Sequence, residues 1–185
     1  MRRLGILAAA ATLLTATAAS CTSANEGEEP VETVSMDEAA IQVQDRALAV
    51  AAHLDVPLEN PSVLADSCSD PSGNPSETGV FYMTARGQLM VGEDQVGEAA
   101  RALHRYFSDQ GFDVEDIRWF DDGTGDMRAT EPPDFGYSTA SMVGGAGYAL
   151  SVSSPCYQAP EGEDPTDGRW HPLPHPSWEA QPGAE

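Results

Sequence analysis

The chain has 185 residues, of which 30 are Asp or Glu and nine are Arg; it has no Lys, and its formal net charge is −21. Apolar residues make up 41%, which suffices for one packed core but not for repeated membrane crossing. The excess of acid argues against nucleic acid as a partner, because phosphate binding needs clustered cations. The absence of Lys excludes Schiff-base catalysis and the phosphate-binding Lys of P-loop proteins.

Residues 1–20 have the pattern of an export signal. Two arginines follow Met1, and the apolar run Leu4–Ala16 is shorter than the ~20 residues that a membrane-spanning helix needs. The run leads into Ala18-Ala19-Ser20-Cys21, which resembles a lipobox, where the Cys is acylated and the signal is cut just before it. Ala18 stands where Leu is usual, and the alternative is an ordinary signal peptide with an unmodified Cys21. We predict lipidation at Cys21, with the bilayer as partner and the outer face of the cell membrane as location.

Cys68 and Cys156 remain as an even pair if Cys21 carries lipid. Cys68 lies in a segment rich in Ser, Asp, Pro and Gly, and Cys156 follows Ser154-Pro155 after a strand-like run. The space outside the plasma membrane permits disulfides. A metal site or a nucleophilic thiol is the alternative, but it lacks a CxxC and a His or cation nearby in sequence. The sequence therefore predicts a Cys68–Cys156 disulfide.

Two helices are predicted. Ser35 and Glu38 form a capping box, and apolar residues then recur at helical spacing from Met36 to Leu54. The second helix spans Glu93–Gln110, and Gly111 suits its end. Its apolar stripe consists of Val96, Ala99, Ala100, Leu103, Tyr106 and Phe107.

Five segments read as strands because they are rich in β-branched and aromatic residues or alternate in polarity. They are 79–91 with a bend or bulge at 86–88, 112–120 with a slip near Asp116, 127–130 after an Asp-Gly turn, 135–143, and 147–154. Residues 57–78 carry four Pro and are predicted to form a loop.

The predicted fold class is α+β, with two helices packed on one face of an antiparallel sheet of about four to five strands. The predicted organisation is a signal peptide over 1–20, an acidic tether over 21–34, the α+β domain over 35–156, and a Pro-rich tail over 157–185. We expect the tail to be disordered or loosely docked.

One resemblance extends from residue 1 to about 157. The lipobox, the acidic tether, a helix that ends in Gln110-Gly111-Phe112 and the closing Ser154-Pro155-Cys156 together resemble small secreted lipoproteins of actinobacteria. The resemblance implies an exported, lipid-anchored protein and carries over no catalytic residues.

Carboxylates cluster at Asp121, Asp122 and Asp126. Such a cluster is a candidate for a weak cation site, but its spacing does not match an EF-hand loop, and a solvated hairpin turn is the alternative interpretation. We expect no resident metal and no cofactor. His171 and His175 are four residues apart, but the Pro residues around them forbid the helix that would bring both to one metal.

Trp170 and Trp178 are unusual in a Pro-rich tail, because solvated tails are poor in aromatic residues. Three alternatives stay open: the tail docks on its own domain, it docks on a protein partner as an extended segment, or it makes no contact.

These features favour a non-enzymatic surface lipoprotein that serves as an interaction or ligand-binding module. A cation-binding or envelope-sensing lipoprotein is the second hypothesis, and an enzyme with an unrecognised site is the third.

We expect the mature protein to partition into detergent through Cys21, because two or more acyl chains give stable anchoring. Fatty-acid labelling and membrane fractionation of cells check this, with Cys21→Ser as the comparison. A Cys21→Ser variant that is unlabelled and still stays in the membrane fraction contradicts the prediction.

Overall fold

The computed structural model describes residues 31–69, 79–121, 123–142, 144 and 146–165. In chain order its elements are α1 (Met36–His53), β1 (Leu58–Ser67), β2 (Val80–Met90), α2 (Val96–Asp109), β3 (Asp113–Trp119), β4 (Gly125–Glu131), β5 (Phe135–Ser141), β6 (Gly147–Ser153) and β7 (Tyr157–Gln158).

The named strands in these ranges form one seven-stranded antiparallel sheet in the order β1-β2-β6-β5-β4-β3, and β7 also pairs with β2. The α+β class is confirmed. The predicted number of four to five strands is too low, because the sequence interpretation left out β1 and β7.

β1 was predicted to be a loop, and this prediction is wrong. Pro61 lies within the strand, yet it is tolerated because β1 is an edge strand and its register with β2 shifts between Glu59 and Ser62. Asn60, with a φ of 48°, turns the backbone at this bulge. Its side-chain amide donates to Gln88 Oε1 at 3.1 Å.

β2 continues through Gly87 without the predicted bend, and it stays in register with β6 from Thr84 to Met90. The glycine is needed for packing, because a Cβ at this position would lie 2.5 Å from Leu58 Cδ1. The slip predicted near Asp116 is confirmed as a register shift between Glu115 and Arg118 on β3.

α1 begins where its capping box predicts. Ser35 Oγ accepts from the backbone N–H of Glu38 at 3.2 Å, and the N–H of Met36 donates to Glu163 Oε2 at 2.9 Å. A carboxylate at this helix end is favourable because the first turn carries unsatisfied N–H groups.

α2 begins at Val96, three residues after the predicted start. Gly92 has a φ of 83°, the segment after it forms a turn, and the side chain of Gln95 makes no capping hydrogen bond. The predicted apolar stripe is buried except for Tyr106, which is half-buried.

The core lies on one face of the sheet. Strand pairing aligns Ala85, Val152, Tyr137 and Ala129 across β2, β6, β5 and β4, and all four are buried. α1 packs against β1, β2 and β6, while α2 packs against β3 and β4. The buried residues of both helices and of these strands form one hydrophobic cluster, so both helices cover the same face.

The ladder of β2 changes partner from β6 to β7 at Ser154. The Ser154 hydroxyl accepts from the buried N–H of Met83 at 2.9 Å, and the Ser154 N–H donates to Met83 O at 2.8 Å. The hydroxyl thereby satisfies a donor that would otherwise be buried without a partner. Pro155 and Cys156 then lead into β7.

The predicted disulfide is confirmed, and it links Cys68 to Cys156 with their Cα atoms 6.2 Å apart. Cys68 follows edge strand β1, and its N–H donates to Val80 O at 3.0 Å. The bond therefore ties the end of the edge strand to the connection between β6 and β7.

Ordered structure extends beyond the predicted domain bounds of 35 and 156. Tyr157 and Ala159 are buried, and Gln158 N–H donates to Glu32 O while Val34 N–H donates to Gln158 O. Glu32 and Val34 are therefore hydrogen-bonded to the segment that contains β7. Residues 21–30 of the predicted tether and 166–185 of the predicted tail lie outside the described ranges.

Reduction of the Cys68–Cys156 bond should lower the free energy of unfolding by about 4 kcal/mol, because the bond closes a loop that spans 88 positions. Melting temperatures with and without reductant check this. A Cys68→Ser/Cys156→Ser variant is the control, since its melting temperature should not respond to reductant. Equal stability of the oxidised and reduced forms would contradict the assigned role of the bond.

Candidate binding surface

The face of the sheet opposite the helices carries polar and small side chains. Alternation along each strand turns these residues away from the core. Strand pairing aligns six of them in one row that crosses the whole sheet: Ser62, Arg86, Ser151, Ser138, Arg128 and Glu115. None of the six is buried, so this open face is accessible across its full width in the described part of the chain.

A hollow of about 620 Å³ lies on the open face over β3, β4 and β5. Its lining includes the side chains of Arg118, Arg128, Asp126, Ser138 and Ala140. Ser138 and Ala140 on β5 are short, so they leave space beside the longer side chains of β4 and β3. The volume falls within the range typical of small-molecule sites.

The arginines of the open face differ from Arg46 on the helix side. Arg46 binds Glu131 through two hydrogen bonds, with Nε to Oε2 at 2.9 Å and Nη2 to Oε1 at 3.2 Å. In the described ranges, Arg86, Arg118 and Arg128 make no ion pair. Their guanidinium donors are therefore available to a ligand.

Asp126 is the carboxylate of the hollow, and it is directed toward β5. Its Oδ1 accepts from the Ser141 N–H at 2.9 Å and from Ser141 Oγ at 3.2 Å. Asp126 is opposite Arg118 in register and two residues before Arg128 on β4. The carboxylate is therefore hydrogen-bonded to β5, and among the described residues it forms no ion pair with either arginine.

The candidate cation site is not assembled by the described residues. Asp126 contacts Ser141, Asp121 is exposed in the turn after β3, and Asp122 lies outside the described residues. In the ranges that are described, no three His, Cys, Asp or Glu side chains come together in a group that could hold a metal ion. The weak cation site stays a prediction.

A second depression, of about 340 Å³, lies between the end of α1 and the start of α2. His53, Glu98 and Arg105 line it together with apolar residues. The His53 ring lies 4.6 Å from that of Tyr106, so this histidine packs against an aromatic side chain. The mixed charges around this depression favour no single class of ligand.

A partly buried polar network stabilises the helix side of the sheet. Tyr137 donates its hydroxyl hydrogen to Glu131 Oε2, and the Arg46 guanidinium carbon lies 3.5 Å from the centroid of the Phe135 ring. Burial, followed by the hydrogen bond to Glu131, raises the pKa of Tyr137 far above its usual value. This network is structural, since it lies on the face opposite the hollow.

The remaining predicted site residues lie outside the described ranges. These are Cys21, the predicted lipidation site, and the two tail tryptophans Trp170 and Trp178. Among the described residues, neither helix has the length and apolar character needed to span a bilayer.

Comparison with models of protein families, with curated proteins and with solved structures finds no match to this chain.

Sequence reasoning missed the arginine-lined hollow. Arg118 and Arg128 lie in segments 112–120 and 127–130, which were predicted only as strands. Their shared surface depends on the pairing of β3 with β4, and the register shift on β3 makes that pairing hard to infer. The Asp-Gly turn was the available signal, because it makes β3 and β4 neighbours.

We expect the free energy of unfolding to fall as the pH rises above 10. The pKa of Tyr137 in the folded protein is raised above its usual value of 10.0, so its stabilising contribution is complete below that pH and is lost above it. Denaturant melts across alkaline pH check this. Tyr137→Phe should lower stability by about 1–2 kcal/mol at neutral pH and weaken the alkaline loss. An unchanged alkaline slope in this variant would contradict the assignment.

Proposed function

We propose that this protein is a lipid-anchored extracytoplasmic binding module without catalytic activity. In this proposal, acylated Cys21 holds the chain at the outer face of the cytoplasmic membrane, and the open face of the sheet binds the ligand. The observation that carries the proposal is that both helices cover the same face of the sheet; in the described part of the chain, the opposite face carries a hollow and three arginines that make no ion pair there.

The chemistry of the domain supports a binding role over a catalytic one. Cys68 and Cys156 are joined to each other, so neither is a free thiol nucleophile. The chain has no Lys that could serve as a nucleophile or a proton carrier. The hollow instead offers guanidinium and hydroxyl groups, which can bind a ligand through hydrogen bonds.

The proposed lipid anchor is supported only by the sequence of the export signal and Cys21. The short apolar run, the small residues and Cys21 fit export followed by acylation. Export also agrees with the disulfide, which persists in oxidising compartments and is rare in the cytosol.

A photo-reactive amino acid at Ser138 should form an adduct in intact cells, because this side chain lies in the hollow. The same group at Ala49, which is exposed on α1, is the matched control and should form none. Ala140→Trp should abolish the adduct at Ser138 by filling the hollow. Mass spectrometry of the purified chain measures each outcome. No adduct, or equal adducts at both positions, would refute the proposal that the open face binds.

A further inference from the structure

We infer that the hollow binds an oxyanion, namely a carboxylate or phosphate group of an extracytoplasmic ligand, through Arg118 and Arg128. The inference rests on the proposed function and names its ligand class. A guanidinium group presents parallel N–H donors that match two oxygens of a carboxylate or phosphate, and two such groups can bind one anion from two sides.

The spacing of the two arginines fits a shared ligand. Arg118 is opposite Asp126 in register, and Arg128 lies two residues further along β4. Arg118 and Arg128 are therefore diagonal neighbours, about 7–8 Å apart in the sheet. Both side chains line the same hollow and both are exposed, so an anion between them would remain reachable from solvent.

The charge of the hollow opposes that of the chain. The chain carries 30 acidic residues against nine Arg, whereas the lining of the hollow holds two Arg and one carboxylate. That carboxylate, Asp126, is engaged by Ser141. Distant acids are screened over roughly 8 Å at physiological ionic strength, so the nearest groups dominate the local potential.

Two exposed acids of β3 lie close to Arg128 in the described part of the chain: Asp113 is its diagonal neighbour, and Glu115 lies opposite it in register. Within the described ranges, neither acid forms an ion pair with Arg128. A guanidinium has five N–H donors, so Arg128 can tolerate the nearby carboxylate of Glu115 and still donate hydrogen bonds toward the hollow. The negative charge of Glu115 then lowers the affinity of the hollow for an anion but does not occupy the binding site.

Arg86 extends the site for a longer ligand. It lies three strands from Arg128 in the same row, which is about 14 Å at the usual strand spacing, with Ser138 and Ser151 between them. A ligand with one anionic group would contact the hollow alone. A linear polyanion would also reach the serine hydroxyls and Arg86.

Isothermal titration of the full chain in mild detergent tests the inference. The probes are inorganic phosphate, citrate and a linear polyphosphate long enough to reach Arg86, with glucose as the uncharged control. Arg118→Gln/Arg128→Gln should weaken binding of the anions at least about tenfold, because it removes charge-assisted hydrogen bonds. Arg86→Gln should weaken binding of the polyphosphate alone.

Arg101→Gln/Arg105→Gln is the matched control. These two arginines are exposed on α2, and their removal changes the net charge by the same amount. Affinity should change less than about twofold in this variant if the hollow is the site. An equal loss in both double variants, or no saturable binding of any anion, would overturn the inference.

The relative affinities of the probes identify the anionic group that the hollow prefers. Tighter binding of citrate identifies a carboxylate ligand, and tighter binding of phosphate or polyphosphate identifies a phosphate ligand; either result supports the inference. If the Ser138 adduct forms in cells while no anion binds, the oxyanion inference fails and the binding role of the open face stands. If neither is observed, both fail.

Discussion

Strand register is the constraint on which this fold depends. The six long strands pair so that apolar residues of each fall in one plane, where Ala85, Val152, Tyr137 and Ala129 share a row beneath the helices. Because side chains alternate, the same register places Arg86, Ser151, Ser138 and Arg128 in a row on the opposite face. A shift of one residue in any strand would move its apolar side chains to the open face and its polar side chains to the core. The same register therefore determines both the core and the candidate binding surface.

The sheet is open and ends in the edge strands β1 and β3, and the chain protects β1 with covalent and polar contacts. β1 contains a bulge with Pro61, which discourages pairing with another chain, and the disulfide at Cys68 holds its end. Ser154 joins β6 and β7 along β2 through the Met83 backbone. With the disulfide, it fixes β2 on both sides, and β2 carries the Arg86 end of the polar row.

The helices, the antiparallel strands after α2 and the disulfide were predictable because local patterns determine them: a capping box, an apolar stripe, short turns and an even pair of cysteines. β1 was missed because Pro61 normally breaks a central strand, and its tolerance depends on the edge position, which is a property of the whole sheet. β7 is too short to carry a pattern. The hollow was missed for a related reason, since Arg118 and Arg128 are ten positions apart and meet only through pairing across the bulge in β3.

No described element covers the face of the sheet opposite the helices, and the proposed binding role requires that face to be open in the full chain as well. Alanine methyl groups report on it directly, because Ala140 and Ala149 are exposed on the open face while Ala85 and Ala129 are buried under the helices. In an NMR measurement on the methyl-labelled full chain, a soluble paramagnetic probe should relax the first pair several-fold faster than the second. Equal protection of the two pairs would mean that another part of the protein covers the open face, and it would contradict this account.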